Sequence, residues 1–187
     1  MRVSTDAANC FSTLYMRLLY YAGQQRDVLP PVMSFSSFLA EPWQVKLACR
    51  EMIYEPWPLI DDFLTAHGDT LSVEEQQIVA AWTCFIRGTF VVLRHLKHYT
   101  IFLHSTSPPH AYGVLGLTTD LEDLLPKPRL PLGVNTVLLP YQGRVVYDGW
   151  LSVYDVIIGP HMRRGLNEDY KNIKSAGRFF TALSVGR

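Results

Sequence analysis

Three features are scarce or missing in this chain, and each absence excludes something. Cysteine is rare: Cys10, Cys49 and Cys84 stand far apart and odd in number. A disulfide framework needs an even, dense set, and a zinc site needs paired ligands such as C-x2-C. Neither pattern is present, so the three thiols read as small buried hydrophobes in a reducing compartment. An excess of charge is also missing, since 17 basic residues balance 17 acidic ones. A protein devoted to nucleic acid usually carries a basic surplus. Finally, no apolar run approaches the ~20 residues that span a bilayer. Asp6 precedes the first apolar stretch, Arg17 interrupts it, and no small-residue cleavage site follows. A signal peptide is therefore not expected, and the expected compartment is cytoplasmic, with no membrane partner.

Catalytic motifs are missing in the same way. Gly113-Val114-Leu115-Gly116 is not followed by the Gly-Lys-Ser/Thr of a phosphate loop. Ser105, Thr106 and Ser107 lie beside His104 and His110 without the sharp G-x-S-x-G turn that exposes a nucleophile. No internal repeat is present. No cofactor, metal or catalytic residue is therefore assigned.

What is abundant is apolar and aromatic substance, 48% and 12% of 187 residues. A domain of this size buries roughly 70% of its unfolded surface. One domain, residues 1–187, is expected, with a helical part over 1–70 and a helix-plus-sheet module over 71–187.

Phe11, Leu14, Tyr15, Leu18 and Ala22 recur at helical spacing, with Asp6 to cap the helix and Gly23 to end it. Gln24–Pro31 reads as a connection. Pro42 occupies a first-turn position before Trp43, Leu47 and Ile53, predicting a helix over 42–54. Pro58 opens a shorter one with Leu59, Ile60, Phe63 and Leu64. Ser72-Val73-Glu74-Glu75 is a capping box. The helix that follows carries Ile78, Trp82 and Phe85 and is expected to close at Gly88.

From Thr89 onward the residues turn β-branched and aromatic. Strands are predicted over 89–96, 99–104, 111–117, 134–139, 144–147 and 150–158. Lys97-His98 and Asp148-Gly149 are read as hairpin turns. A short helix follows Asp120, and Pro126, Pro128 and Pro131 stiffen the connector after it. Leu166, Tyr170, Ile173, Gly177 and Phe180 fit one face of a closing helix. The fold class is thus α+β: N-terminal helices, an antiparallel meander of five to six strands, and a C-terminal helix.

Candidate functional residues come from the polar positions in apolar stretches. On a two-residue turn His95 faces Thr100 and His104 faces Val91, while His98 falls in the turn, so the three imidazoles do not converge on one ion. Arg94 in an apolar strand needs a carboxylate such as Asp148 or Asp155, or else contacts an anion together with Lys97. In Tyr147-Asp148-Gly149-Trp150, Asp148 is either a general base or metal carboxylate or, as preferred, the turn residue that tolerates positive φ. His161-Met162-Arg163-Arg164 with Lys171, Lys174 and Arg178 would give a basic face, read first as a solvated helix surface. The candidate set is Arg94, His95, Lys97, Tyr147, Asp148, Tyr170 and Lys174, with Trp43 and Trp57 as candidate docking residues.

From Leu71 to Leu183 the chain resembles an uncharacterised family of bacterial cytosolic α+β proteins. The resemblance rests on Trp82, Gly88-Thr89-Phe90-Val91-Val92, Arg94-His95-Leu96-Lys97, Ile101-Phe102-Leu103 and Tyr112-Gly113-Val114-Leu115-Gly116-Leu117. It continues in Val137-Leu138-Leu139-Pro140, Val146-Tyr147-Asp148-Gly149 and Tyr170-Lys171. Proteins of similar pattern sometimes carry a C-terminal zinc-binding module of the SEC-C type, whose cysteines this sequence lacks, and Gly159-Pro160-His161 stands where a more glycine-rich turn is expected. The resemblance implies a recurring helix–sheet module and brings no activity with it.

Two functional readings follow. The first is a non-catalytic interaction or adaptor module whose partner is a protein or a second copy. The second is a nucleic-acid-associated or nuclease-like protein using Arg94, Lys97, Asp148 and the basic C-terminal helix in one cleft. A small-ligand pocket lined by the many aromatics is the third.

Overall fold

Residues 1–154 and 158–183 are described in the computed structural model. They gather into two units, Asp6–Thr83 and a second made of Met1–Thr5 with the chain from Cys84 onward. The capped helix after Ser72 therefore groups with the N-terminal helices.

The first unit is helical. α1 (Thr5–Gln25) buries Phe11, Leu14, Tyr15, Leu18 and Ala22, the face its spacing predicts. It does not stop at Gly23. A Cβ there would run into Cys49 Sγ at 2.5 Å and the Leu29 side chain at 2.7 Å, so this glycine serves close packing. Asp27, at φ 54°, takes the left-handed turn instead. Cys49 is fully buried, and burial pushes its thiol up to about 11. α2 (Phe35–Ala40) lies in the stretch that the sequence left without an element. Ser34 caps it, accepting the Ser37 N–H at 3.1 Å. α3 (Trp43–Ile53) and α4 (Leu59–His67) each begin one residue after a proline, so Pro42 and Pro58 are N-caps rather than first-turn residues.

α5 (Val73–Ala81) has the predicted capping box, with the Ser72 N–H donating to Glu75 at 2.7 Å and the Glu75 N–H to Ser72 Oγ at 3.2 Å. These bonds hold the Glu75 carboxyl below its ordinary value. The helix ends at Ala81, followed by one 3-10 turn, Trp82–Cys84. Gly88 thus lies in a strand and does not close a helix, because the β-branched run behind it already pairs from Ile86. Trp82 is completely buried, edge-on to Phe11 at 5.1 Å and to Tyr15 at 5.6 Å.

The second unit is built on a mixed sheet. Its strands are β1 (Ile86–His95), β2 (Thr100–His104), β3 (His110–Leu115), β4 (Leu132–Tyr141), β5 (Arg144–Tyr147), β6 (Ser152–Tyr154) and β7 (Phe179–Phe180). The order β1-β2-β3-β5-β4, with β1 also paired to β4, closes five strands into a barrel. β3 and β5 run parallel. The expected antiparallel meander is therefore corrected. The physical reason is the connector: α6 (Leu121–Leu124) and the proline-rich segment after it carry the chain from β3 to the free edge of β1. Closure leaves those five strands without unpaired edges. Phe90, Phe102 and Tyr112 meet in the barrel, with Phe90 6.1 Å and 6.2 Å from the other two rings.

The register holds one surprise. His95 faces Thr100 as predicted, but His104 pairs with Phe90 rather than Val91, because a bulge falls between Val92 and Arg94. α7 (Pro160–Ser175) starts at Pro160 and ends before Gly177, whose φ of 69° terminates it. Gly177 and Phe180 are thus not on its face, and Phe179–Phe180 pair with β3 instead. The predicted strand over 150–158 is shorter at its start, and its end lies partly outside the described residues.

Gly116 sits where backbone segments approach closely. Its N–H donates to Met1 O and its carbonyl accepts from the Val3 N–H, both at 3.0 Å, and a Cβ would strike the Thr119 carbonyl oxygen. Gly116→Ala is expected to destabilise the barrel by about 1–3 kcal/mol.

Candidate functional site

The structure separates the residues that the sequence offered as one cleft. Arg94 is exposed on β1, and its guanidinium lies 5.3 Å from the centre of the Tyr170 ring. This cation–π contact replaces the expected pairing with Asp148; Asp155 lies outside the described residues. Asp148 is 1% exposed and bound to the far edge of β4, with its N–H on Val137 O at 3.0 Å. Val137 pairs with Arg87 across β1. From Arg87 to Arg94 the strand advances about 23 Å at roughly 3.3 Å per residue. Asp148, Arg94 and Lys97 therefore do not converge.

Asp148 also turns out not to be the positive-φ residue of its turn. Gly149 takes that role at φ 97°, and the Asp148 carboxylate accepts the Trp150 N–H at 3.3 Å. The Asp-Gly pair makes no hairpin: β5 and β6 both pair with the same edge of β4, so the turn is a kink between two segments of one path. The Thr136 hydroxyl fastens it from β4, donating to Trp150 O at 2.6 Å. Tyr147 is buried, and its phenol is raised above its ordinary value by burial and then by the Asp148 charge.

His95 is a structural residue. Its Nε2–H donates to Leu125 O at 2.7 Å, which leaves Nδ1 to accept from the Thr100 hydroxyl at 2.8 Å. His95→Ala would strip a buried carbonyl of its donor, and a loss of about 1–3 kcal/mol is expected in chemical denaturation. Lys97 and His98 form the exposed turn that Leu96 N–H and Tyr99 O close at 2.9 Å.

Tyr170 belongs to the covering of the barrel. It packs with Ile173 of α7 against Leu93, Ile101, Leu103 and Ala111. Burial is the first cause that raises its phenol, and the Arg94 charge counteracts it. Lys174 is on the exposed side of α7, where Glu168 and Asp169 are exposed too. The basic residues of this helix therefore do not make an uninterrupted positive face.

His104 carries a pH consequence that the sequence did not suggest. Its ring lies tilted against Phe90 at 4.6 Å, and it pairs with His110 across the β2–β3 ladder. Burial, then the His110 charge, lowers its pKa from 6.5. The unfolded chain therefore binds this proton more readily. The stability His104 contributes is full above pH 6.5 and is lost as pH falls through the folded-state value. Thermal midpoints should fall as the pH drops from 6.5 to that folded-state value, and His104→Gln should flatten the fall.

The two tryptophans stand apart from these buried groups. Trp43, the first residue of α3, is 60% exposed, and Trp57 is 54% exposed. Trp57 lies between Pro56 and Pro58, and the Arg26 guanidinium sits 4.1 Å over its ring. Both rings belong to the helical unit.

The chain matches no protein-family model, no curated protein and no solved structure.

Function must therefore be argued from the side chains themselves. Among the described residues no group of three or more His, Cys, Asp or Glu side chains could hold a metal ion, and no helix is long and apolar enough to cross a membrane. Arg50 is what sequence reasoning missed. It is a buried cation in the last turn of α3, 2.7 Å from Glu51 and 5.5 Å from the Tyr54 ring. Its only sequence signal is an arginine beside Cys49 on the apolar side of the helix.

Proposed function

We propose that this chain is a non-catalytic protein–protein interaction module of a bacterial cytosolic system, docking through the helical unit. The observation that carries this reading is the pair of exposed tryptophans, Trp43 and Trp57. Exposing more than half of an indole is costly unless something covers it, and Trp and Arg are the residues most enriched where binding energy concentrates. Trp57 is also held in place, by flanking prolines and by the Arg26 stack. A pre-positioned ring loses less freedom on binding than a mobile one. The cytosolic setting rests on the sequence resemblance and on the three free cysteines.

The nucleic-acid alternative finds less support. Closed five-stranded barrels of Greek-key type bind oligonucleotides on the face of their second and third strands. Here Ile101, Leu103 and Ala111 of that face lie under Tyr170 and Ile173. Architecture alone does not carry function, and the corresponding face of this barrel is covered by α7.

Affinity purification of the full chain from its native host, beside the Trp43→Ala/Trp57→Ala variant, tests the proposal. A stoichiometric protein partner, or a second copy, that is retained by the natural chain and lost by the variant is expected. A partner kept equally by both would overturn the reading, as would salt-sensitive nucleic acid in place of protein.

A further inference from the structure

The helical unit contains a cleft of about 250 Å³ that none of the preceding residues explains. Its walls are Tyr20, Tyr21, Phe35 and Phe63, and its polar groups are Arg17, Gln24 and His67. Arg17, Tyr20, Tyr21 and Gln24 recur three and four apart on α1, so the helix presents them as one face. Tyr20 meets Phe35 edge-on at 5.4 Å. Tyr21 meets Phe63 at 5.6 Å and His67 at 5.4 Å, also edge-on.

These groups are held before any ligand arrives. The Tyr20 hydroxyl donates to Met33 O at 2.6 Å and accepts from Gln24 Nε2 at 2.8 Å. Arg17 donates through one N–H to Thr70 Oγ1 at 2.5 Å, and the Thr70 hydroxyl donates onward to His67 O at 2.8 Å. Guanidinium has five N–H donors, so the fork keeps others for a ligand. Of the acids nearby, Glu75 is committed to the Ser72 N–H at 2.7 Å, and Asp62, whose charge reaches Tyr21, stands in the first turn of α4.

The geometry points to a binding site for a small planar aromatic carboxylate, its ring between the aromatic walls and its carboxylate on Arg17. A cation, the usual guest of an aromatic cage, is disfavoured by Arg17 in the lining. Inorganic phosphate would leave four aromatic side chains unused. A drug-sized ligand needs about 300–1,000 Å³, so one or two rings fill this space. The site is independent of the tryptophan surface and stands or falls separately.

The test uses the full chain and four probes: indole-3-acetate, 4-hydroxybenzoate, indole-3-acetamide and cyclohexanecarboxylate. Ligand-observed NMR and calorimetry read binding. The two aromatic carboxylates should bind saturably. The amide, lacking the charge, and the cyclohexane acid, lacking the flat ring, should each bind at least about tenfold more weakly, as expected for losing a charge-assisted bidentate contact or an aromatic stack. Arg17→Gln should weaken indole-3-acetate by about tenfold or more at unchanged thermal midpoint, and Phe35→Ala should also weaken it. Should Arg17→Gln disturb folding, the probe series on the natural chain still decides. No binding of either aromatic carboxylate at millimolar concentration, equal binding of the amide, or binding indifferent to Arg17→Gln in a folded variant overturns the proposal.

Discussion

Trp82→Ala is expected to destabilise the helical unit by about 3–5 kcal/mol, the usual cost of truncating a buried large aromatic. Trp82 has no exposed surface and touches the rings of Phe11 and Tyr15. Those two rings stack on each other at 5.4 Å, and the Tyr15 hydroxyl shares a 2.7 Å hydrogen bond with that of Tyr54. Removing the indole therefore opens a void against α1 and loosens a buried hydroxyl pair. Trp82→Phe is a sharper probe. The indole N–H has no hydrogen-bond partner among the described residues, so phenylalanine removes an unsatisfied donor while keeping much of the ring contact. It should cost well under half as much as alanine in urea denaturation followed by circular dichroism. Equal costs would mean that the N–H has a partner in solution.

Trp43→Ala and Trp57→Ala should do the opposite: leave stability alone and remove binding. Both rings are more than half exposed, so little burial is lost on truncation. At a binding surface, an anchoring tryptophan is worth about 2–4 kcal/mol, or roughly 30- to 1,000-fold in Kd. Arg26→Ala should fall between the natural chain and Trp57→Ala. It leaves the ring but removes the cation that holds it, a contact worth about 0.5–1 kcal/mol at an exposed position. Titration calorimetry with the purified partner gives the order, and thermal midpoints confirm that folding is intact. A large fall in midpoint for either tryptophan variant would reassign that ring to the core.

What could be read in the sequence was local. The stripe Phe11, Leu14, Tyr15, Leu18 and Ala22 is buried as its period implies, and the Ser72–Glu75 box forms both of its bonds. The His95–Thr100 pairing follows from a two-residue turn. What could not be read depends on residues far apart in the chain. Nothing within β1 or β4 announces that they pair, yet that ladder from Ile86–Leu138 to Val92–Leu132 turns an open meander into a barrel. The Asp148-Gly149 signal is strong for a hairpin, but β4 is long enough to pair with both flanking strands on one edge, and this overrides it. The bulge between Val92 and Arg94 shifts His104 by one position, and turn length alone does not announce it. Of the candidate site, the exposure of Trp43 and Trp57 agrees with their reading as docking aromatics. The dispersal of Arg94, Lys97 and Asp148 was not legible, since it is set by strand register.

Hydroxyl-radical footprinting of Trp43 and Trp57 in the complex recovered from the native host tests the interaction reading most directly. In the free chain both indoles should oxidise readily, as their exposure of 60% and 54% requires. In the complex both should be protected several-fold, while the exposed Met162 on α7 keeps its reactivity. Equal oxidation of the two indoles in free and bound chain would contradict docking through the helical unit.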